Sequence, residues 1–198
     1  DTTVPTVVIT DNTPGVATGD VTFTFTFSEA VSGFDASKIT VTNGTKGAFS
    51  GSAGVYTLVV TPTASSSGDI TVAVDSTGVV DTANNALGAV TSYTQAFDTT
   101  VPTVVITDNT PGVATGDVTF TFTFSEAVSG FDASKITVTN GTKGAFSGSA
   151  GVYTLVVTPT ASSSGDITVA VDSTGVVDTA NNALGAVTSY TQAFDTTV

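Results

Sequence analysis

Hydrophobic and polar positions alternate with a period of two along most of this chain. The clearest run is Val21-Thr-Phe-Thr-Phe-Thr-Phe-Ser28. Val21, Phe23, Phe25 and Phe27 fall on one face and Thr22, Thr24, Thr26 and Ser28 on the other, as in a strand with one face in a core and one in water. Similar runs predict strands over 6–10, 39–42, 55–61, 70–74 and 90–97, with a shorter one over 48–50. Turn-forming residues separate them: Asp11-Asn-Thr-Pro-Gly15, Gly19-Asp20, Asn43-Gly44, and the stretches 51–54, 62–69 and 76–88. Glycines and β-branched residues are too frequent for a helix, and no capped amphipathic run is present.

The whole pattern repeats. Residues 1–97 recur without change as 98–194, and residues 195–198, Asp195-Thr-Thr-Val198, open a third copy, as expected of a stretch from a longer array. A period of 97 residues is far beyond that of solenoid repeats, so each copy is expected to bury its own core. About seven short strands in such a length predict an all-β fold, two tandem immunoglobulin-like β-sandwiches. Each copy has six phenylalanines, at 23, 25, 27, 34, 49 and 97 in the first. Burying each fully contributes roughly 1.5–3 kcal/mol, an adequate core for a small domain. The connection is short. Asp98-Thr-Thr-Val-Pro102 runs from the last strand of one copy into the first strand of the next, and Pro102 restricts both itself and Val101 to extended geometry. Copies joined in this way are expected to stack end to end as a monomeric rod, their partners being the neighbouring identical repeats.

Charge narrows the partners. Eight acids stand against Lys38 and Lys46 in the first copy, and the chain as a whole carries −13. Such a surface repels nucleic acid and anionic lipid and attracts cations; acidity also keeps a long surface array soluble. There is no Cys, His, Trp or Met, so neither disulfides nor soft-metal sites can form. No apolar run approaches the roughly 18 residues of a membrane span, and no signal peptide is visible, so neither membrane insertion nor a targeting signal is read here.

Five phrases resemble one family. They are Asp98-Thr-Thr-Val-Pro-Thr-Val-Val-Ile106, Phe122-Thr-Phe-Ser-Glu-Ala-Val128 with Gly130 and Phe131, Ile136-Thr-Val-Thr-Asn-Gly141, Tyr153-Thr-Leu-Val-Val-Thr-Pro159, and Asp178-Thr-Ala-Asn-Asn182. In this order they are similar to the bacterial Ig-like repeats that fill the extender regions of giant secreted (RTX, type I-secreted) adhesins of Gram-negative bacteria. The resemblance spans both copies. It implies rod-like, extracellular stalks at the cell surface, involved in adhesion and biofilm, often stiffened by calcium between domains. One departure stands at Asn181 (Asn84 in the first copy), where the family usually has glycine; asparagine tolerates the left-handed backbone that glycine would adopt there.

Calcium takes about six to eight oxygen ligands, and strand alternation brings acids from separate segments to one pole of each copy. Asp98 lies in the connection, Glu126 and Asp132 follow the second strand, and Asp178 with Asn181 and Asn182 lies before the last. The expectation is that Asp98, Glu126 and Asp178 share one Ca²⁺ at the junction, with Asp132 and Asn181 as additions. Their counterparts are Asp1, Glu29, Asp81, Asp35 and Asn84. Aspartate and asparagine also stabilise turns through their own side chains, which leaves a purely local role open for Asp178 and Asp132; glutamate is not a turn former.

Other functions fit less well. Without His or Cys the common nucleophile–base pairs cannot be built, and a carboxylate pair on two identical small copies with no evident cleft is a poor glycosidase, so the chain reads as no enzyme. The lysines read as solvated. A module binding carbohydrate or protein through its loops is the alternative, but those loops are short and lack aromatic residues. Duplication favours a stalk, which needs length, over a binding head, which needs one surface.

Overall fold

A computed structural model describes residues 1–197; Val198, the last residue of the third-copy start, lies outside the described residues. The chain divides into two compact units, one over Asp1–Thr100 and one beginning at Val101. In the first, the strands are β1 (Val7–Asp11), β2 (Val21–Phe27), β3 (Val31–Ser32), β4 (Ile39–Thr42), β5 (Gly44–Ser52), β6 (Val55–Pro62), β7 (Ser67–Val74), β8 (Val80–Asp81) and β9 (Tyr93–Asp98). The second repeats these as β10 (Val104–Asp108) to β18 (Tyr190–Asp195), with the same pairing.

Two antiparallel sheets make each sandwich, β1-β2-β6-β5 and β4-β7-β9, and the pair β3-β8 forms a small third ladder. This is the four-plus-three strand division of an immunoglobulin-like domain, as the alternation predicts. Phe23, Phe25, Leu58 and Val60 from the first sheet and Ile39, Ile70, Val72 and Phe97 from the second share one buried cluster. Threonines between them face outward, and Thr24 lies between Thr10 and Thr57 in register. Phe34, on the connection between β3 and β4, packs at 4.9 Å from Phe27 and 5.1 Å from Tyr56, edge to face. No helix among the described residues is long and apolar enough to cross a membrane.

Three features depart from the sequence pattern. β5 is nine residues long, where only 48–50 showed a strand signal, and it already begins at Gly44 inside the expected turn. Its three glycines hide it, because it is an edge strand with little side chain to bury, held by its pairing with β6 around a bulge between Lys46 and Phe49. Gly51 there has φ 126°, and a Cβ would collide with the carbonyl oxygen of Val55, so glycine is required. The ladder β3-β8 has only two residues a side and no period to read. The third feature is a single 3₁₀ turn, Ala36–Lys38.

The lysines are not simply solvated. Lys46 Nζ donates to the carbonyl oxygens of Ala36 at 2.8 Å and Ile39 at 2.9 Å, which ties the edge strand to the start of β4 in the other sheet. Lys38 Nζ donates to the Thr77 carbonyl at 2.5 Å, fastening the 3₁₀ turn to the long loop after β7.

Tyr93 in β9 donates its hydroxyl to Asp11 Oδ2 at the end of β1 (2.7 Å), joining an edge of each sheet. The carboxylate and partial burial raise the phenol above its ordinary pKa. A raised folded value means that this contribution is complete below the unfolded value of about 10 and is lost as pH rises through the folded value. Thermal melts at pH 8 to 11 should fall above about pH 10, and Tyr93→Phe with Tyr190→Phe should flatten that fall while lowering stability at pH 8.

Candidate metal centre

The site is built where three segments meet at the N-terminal end of the first domain. The β3-β8 ladder sets Val31 opposite Asp81. Glu29 precedes Val31 by two residues and is thereby carried beside Asp81. Gly33 keeps this crossing tight: its φ is 78°, and a Cβ would collide with the carbonyl oxygen of Gly78 in the facing loop. The N-terminal segment is pinned on both sides. Ser28 N–H donates to the Thr6 carbonyl at 2.9 Å, Thr6 N–H to Ser28 Oγ at 3.0 Å, and Gly88 N–H to the Pro5 carbonyl at 3.3 Å.

As a result, carboxylate oxygens of Asp1, Glu29 and Asp81 lie within 4.8 Å of one another. Two oxygens on one calcium, each about 2.3–2.6 Å from it, stand no more than about 5 Å apart, so a single ion can span this spacing. Three carboxylates supply between three and six oxygens, leaving the rest of a calcium shell to backbone carbonyls or water. Three like charges so close repel, and a cation cancels that repulsion.

Asp81 is 3% exposed, rare for an acid. Its Oδ1 accepts from the N–H groups of Ala83 and Asn85, both at 2.8 Å, and its Oδ2 accepts from Asn85 Nδ2 at 2.7 Å. The Asn85 side chain, then the Asn85 and Ala83 amides, hold its carboxyl below the ordinary pKa against the opposing effect of burial. Asp81 is therefore kept as an anion. Asn84 takes φ 69°, and Asn181 φ 73°, the left-handed turn expected where the family has glycine. Its N–H donates to the Asp81 carbonyl at 3.3 Å, so its observed part is in the turn.

Asp35 is not among the gathered acids. It is the N-cap of the 3₁₀ turn, and its Oδ1 accepts from Ser37 N–H at 2.7 Å and Ser37 Oγ at 2.5 Å. The Ser37 hydroxyl and amide lower its pKa. Asp132 caps the second domain's turn through Ser134 in the same way. The two readings left open for this position thus meet a definite local bond.

In the second domain, β12 (Val128–Ser129) sets Val128 opposite Asp178, and Glu126 again lies two residues ahead. Asp178 Oδ1 accepts from Ala180 and Asn182 N–H at 2.8 Å, and Oδ2 from Asn182 Nδ2 at 2.8 Å. Asp98, the sequence counterpart of Asp1, is the last residue of β9 in the first domain, where it pairs with Ser67 and accepts at Oδ1 from Thr100 N–H at 2.9 Å. Sequence reasoning named Asn182 only with the rest of its loop and gave its counterpart Asn85 no part of its own. It falls in a run of turn formers, and the signal for a supporting part was its position four residues after an aspartate.

Strand order, one shared core per repeat and an acid cluster at the N-terminal end define an immunoglobulin-like module with a candidate hard-cation site. The chain belongs to the bacterial Ig-like domain family, which matches residues 1–97 and again 98–195. Among solved structures it is similar to InvD of Yersinia pseudotuberculosis, at 18% identity and a TM-score of 0.39 over 98% of this chain and 58% of that one. It is also similar to invasin, described as a bacterial integrin-binding protein, at 20% identity and a TM-score of 0.42 over 91% of this chain and 40% of that one. The chain thus spans roughly half the length of these proteins. No curated protein sequence matches it.

A depressed folded pKa at Asp81 means that its contribution is present above the unfolded value of about 3.9 and is lost as pH falls through the folded value. In EDTA, Asp81→Asn should melt lower at pH 7, because an amide there faces three donors. It should also lose less on acidification from pH 5 to pH 2.5, as followed by circular dichroism.

Proposed function

We propose that the chain is a stalk segment of a bacterial surface adhesin, extracellular and non-catalytic, in which Ca²⁺ stiffens the joint between successive domains. The observation that carries this reading is the gathering of Asp1, Glu29 and Asp81, on residues that recur unchanged 97 positions on. If a cation takes the same three positions in the second repeat, it is held by Asp98, Glu126 and Asp178. Asp98 ends the last strand of the first domain, whereas Glu126 lies ahead of β12 and Asp178 ends the short strand Val177–Asp178 in the second. Such an ion ties the last strand of one domain to the next domain. Giant RTX-type adhesins exported by type I secretion are the setting that the sequence resemblance implies.

The free energy of stiffening comes from binding the aligned state better than bent ones. A cation at ten to a hundred times its Kd stabilises by roughly 1.4–2.7 kcal/mol. The proposed role needs no groove and no aromatic platform. It needs length and a joint, which an unchanged repeat and a short Pro-containing connection provide.

Melts of the two-repeat chain in EDTA, millimolar Mg²⁺ and millimolar Ca²⁺ test this. Calcium should raise the melting temperature by about 5–15 °C over EDTA, and magnesium by much less. In small-angle scattering, calcium should lengthen the particle toward an advance of about 40 Å per repeat, the length of an eight-residue strand plus its loops. Asp98→Ala should remove the joint's share of both effects. Identical melts and scattering in all three buffers would leave the acids as turn and solubility residues and favour a module that binds carbohydrate or protein.

A further inference from the structure

Asn85 does not contribute to the site as an oxygen donor. Its side-chain nitrogen faces two acceptors, Asp81 Oδ2 at 2.7 Å and the backbone carbonyl of Asp1 at 3.3 Å, so the amide is oriented with its donor inward. Its own N–H donates to Asp81 Oδ1 at 2.8 Å, and its carbonyl accepts from Asp81 N–H at 3.0 Å. One residue therefore grips the buried carboxylate at both oxygens and also grips the residue that opens the repeat. Asp1 and Asp81 belong to separate segments, and Asn85 bridges them.

We propose that Asn85, and by repetition Asn182, is the positioning residue of the cation site: it fixes the buried aspartate and the segment bearing its partner acid before any ion arrives. This rests on the calcium reading above. Orienting a carboxylate ligand from behind is the usual work of an outer hydrogen-bond partner, whose loss typically weakens metal affinity by about 10–100-fold. Here the same amide also does part of the cation's work in its absence. It places donors against a carboxylate that would otherwise face two other acids unneutralised, and it holds the first residue of the repeat at the pole. The three acids therefore stay gathered without an ion, and binding is spared the cost of collecting them.

A turn-forming role is separable from this one. Aspartate forms such turns as readily as asparagine but carries no amide donor. The test uses the full two-repeat chain carrying Asn85→Asp with Asn182→Asp, and separately Asn85→Ala with Asn182→Ala. In EDTA, melting temperature should fall in the order parent, alanine variant, aspartate variant, the last by about 5–10 °C. Calorimetry with CaCl₂, at a temperature where all are folded, should show the alanine variant binding at least tenfold more weakly with unchanged stoichiometry. An aspartate variant that melts with the parent in EDTA, or an alanine variant with parental affinity, overturns the positioning role and leaves the calcium reading standing. A parent chain that takes up no calcium overturns both.

Discussion

A carboxylate taken out of water has to be met by donors or by a cation, and the N-terminal pole of each domain is organised around that requirement at Asp81 and Asp178. The aspartate sits there because the two-residue ladder with β3 places it under the loop that carries Glu29. Backbone amides of Ala83 and Asn85 meet one of its oxygens and the Asn85 side chain the other. The left-handed turn at Asn84 aims those amides, and the short approach of Gly33 to Gly78 lets the two loops close over them. With the anion held in this way, the third acid can be delivered by the segment that precedes β1.

The remainder of the domain supplies rigidity. Two sheets share a core filled from both sides by Phe23, Phe25, Leu58, Ile70 and Val72, and Phe34, on the connection between β3 and β4, packs against Phe25, Phe27 and Tyr56. Lys46 and Tyr93 tie the sheets together at their edges. A frame of this kind holds ligands still, and identical frames in series repeat the same pole at a fixed sequence interval.

The strong part of the fold was legible because the alternation in β2, β6 and β7 has one burial solution. The edge strand β5 was not, since glycines carry no hydrophobic pattern and its existence depends on β6. The acid triad was legible by counting strand reversals: Asp1, Glu29 and Asp81 must fall at one end if each strand reverses the chain. What counting could not show is which polar residues are satisfied locally. Asp35 has the composition of a ligand and the geometry of a cap. Asn85 has the composition of a turn former and the geometry of a support. Lys38 and Lys46, taken for solvated charges, spend their donors on backbone carbonyls. In each case the deciding fact is a hydrogen bond that hydrophobic patterning does not encode, local for Asp35 with Ser37 and Asn85 with Asp81, and between separate segments for Lys38 with Thr77.

The most direct test of the central claim is a crystal structure of the two-repeat chain grown in calcium, with anomalous data to identify the ion. The account predicts one calcium bonded to Asp98, Glu126 and Asp178 at about 2.3–2.6 Å, with Asn182 still holding Asp178 from behind. A structure in which those carboxylates carry only water, or in which calcium binds other acids and leaves these three apart, would contradict it.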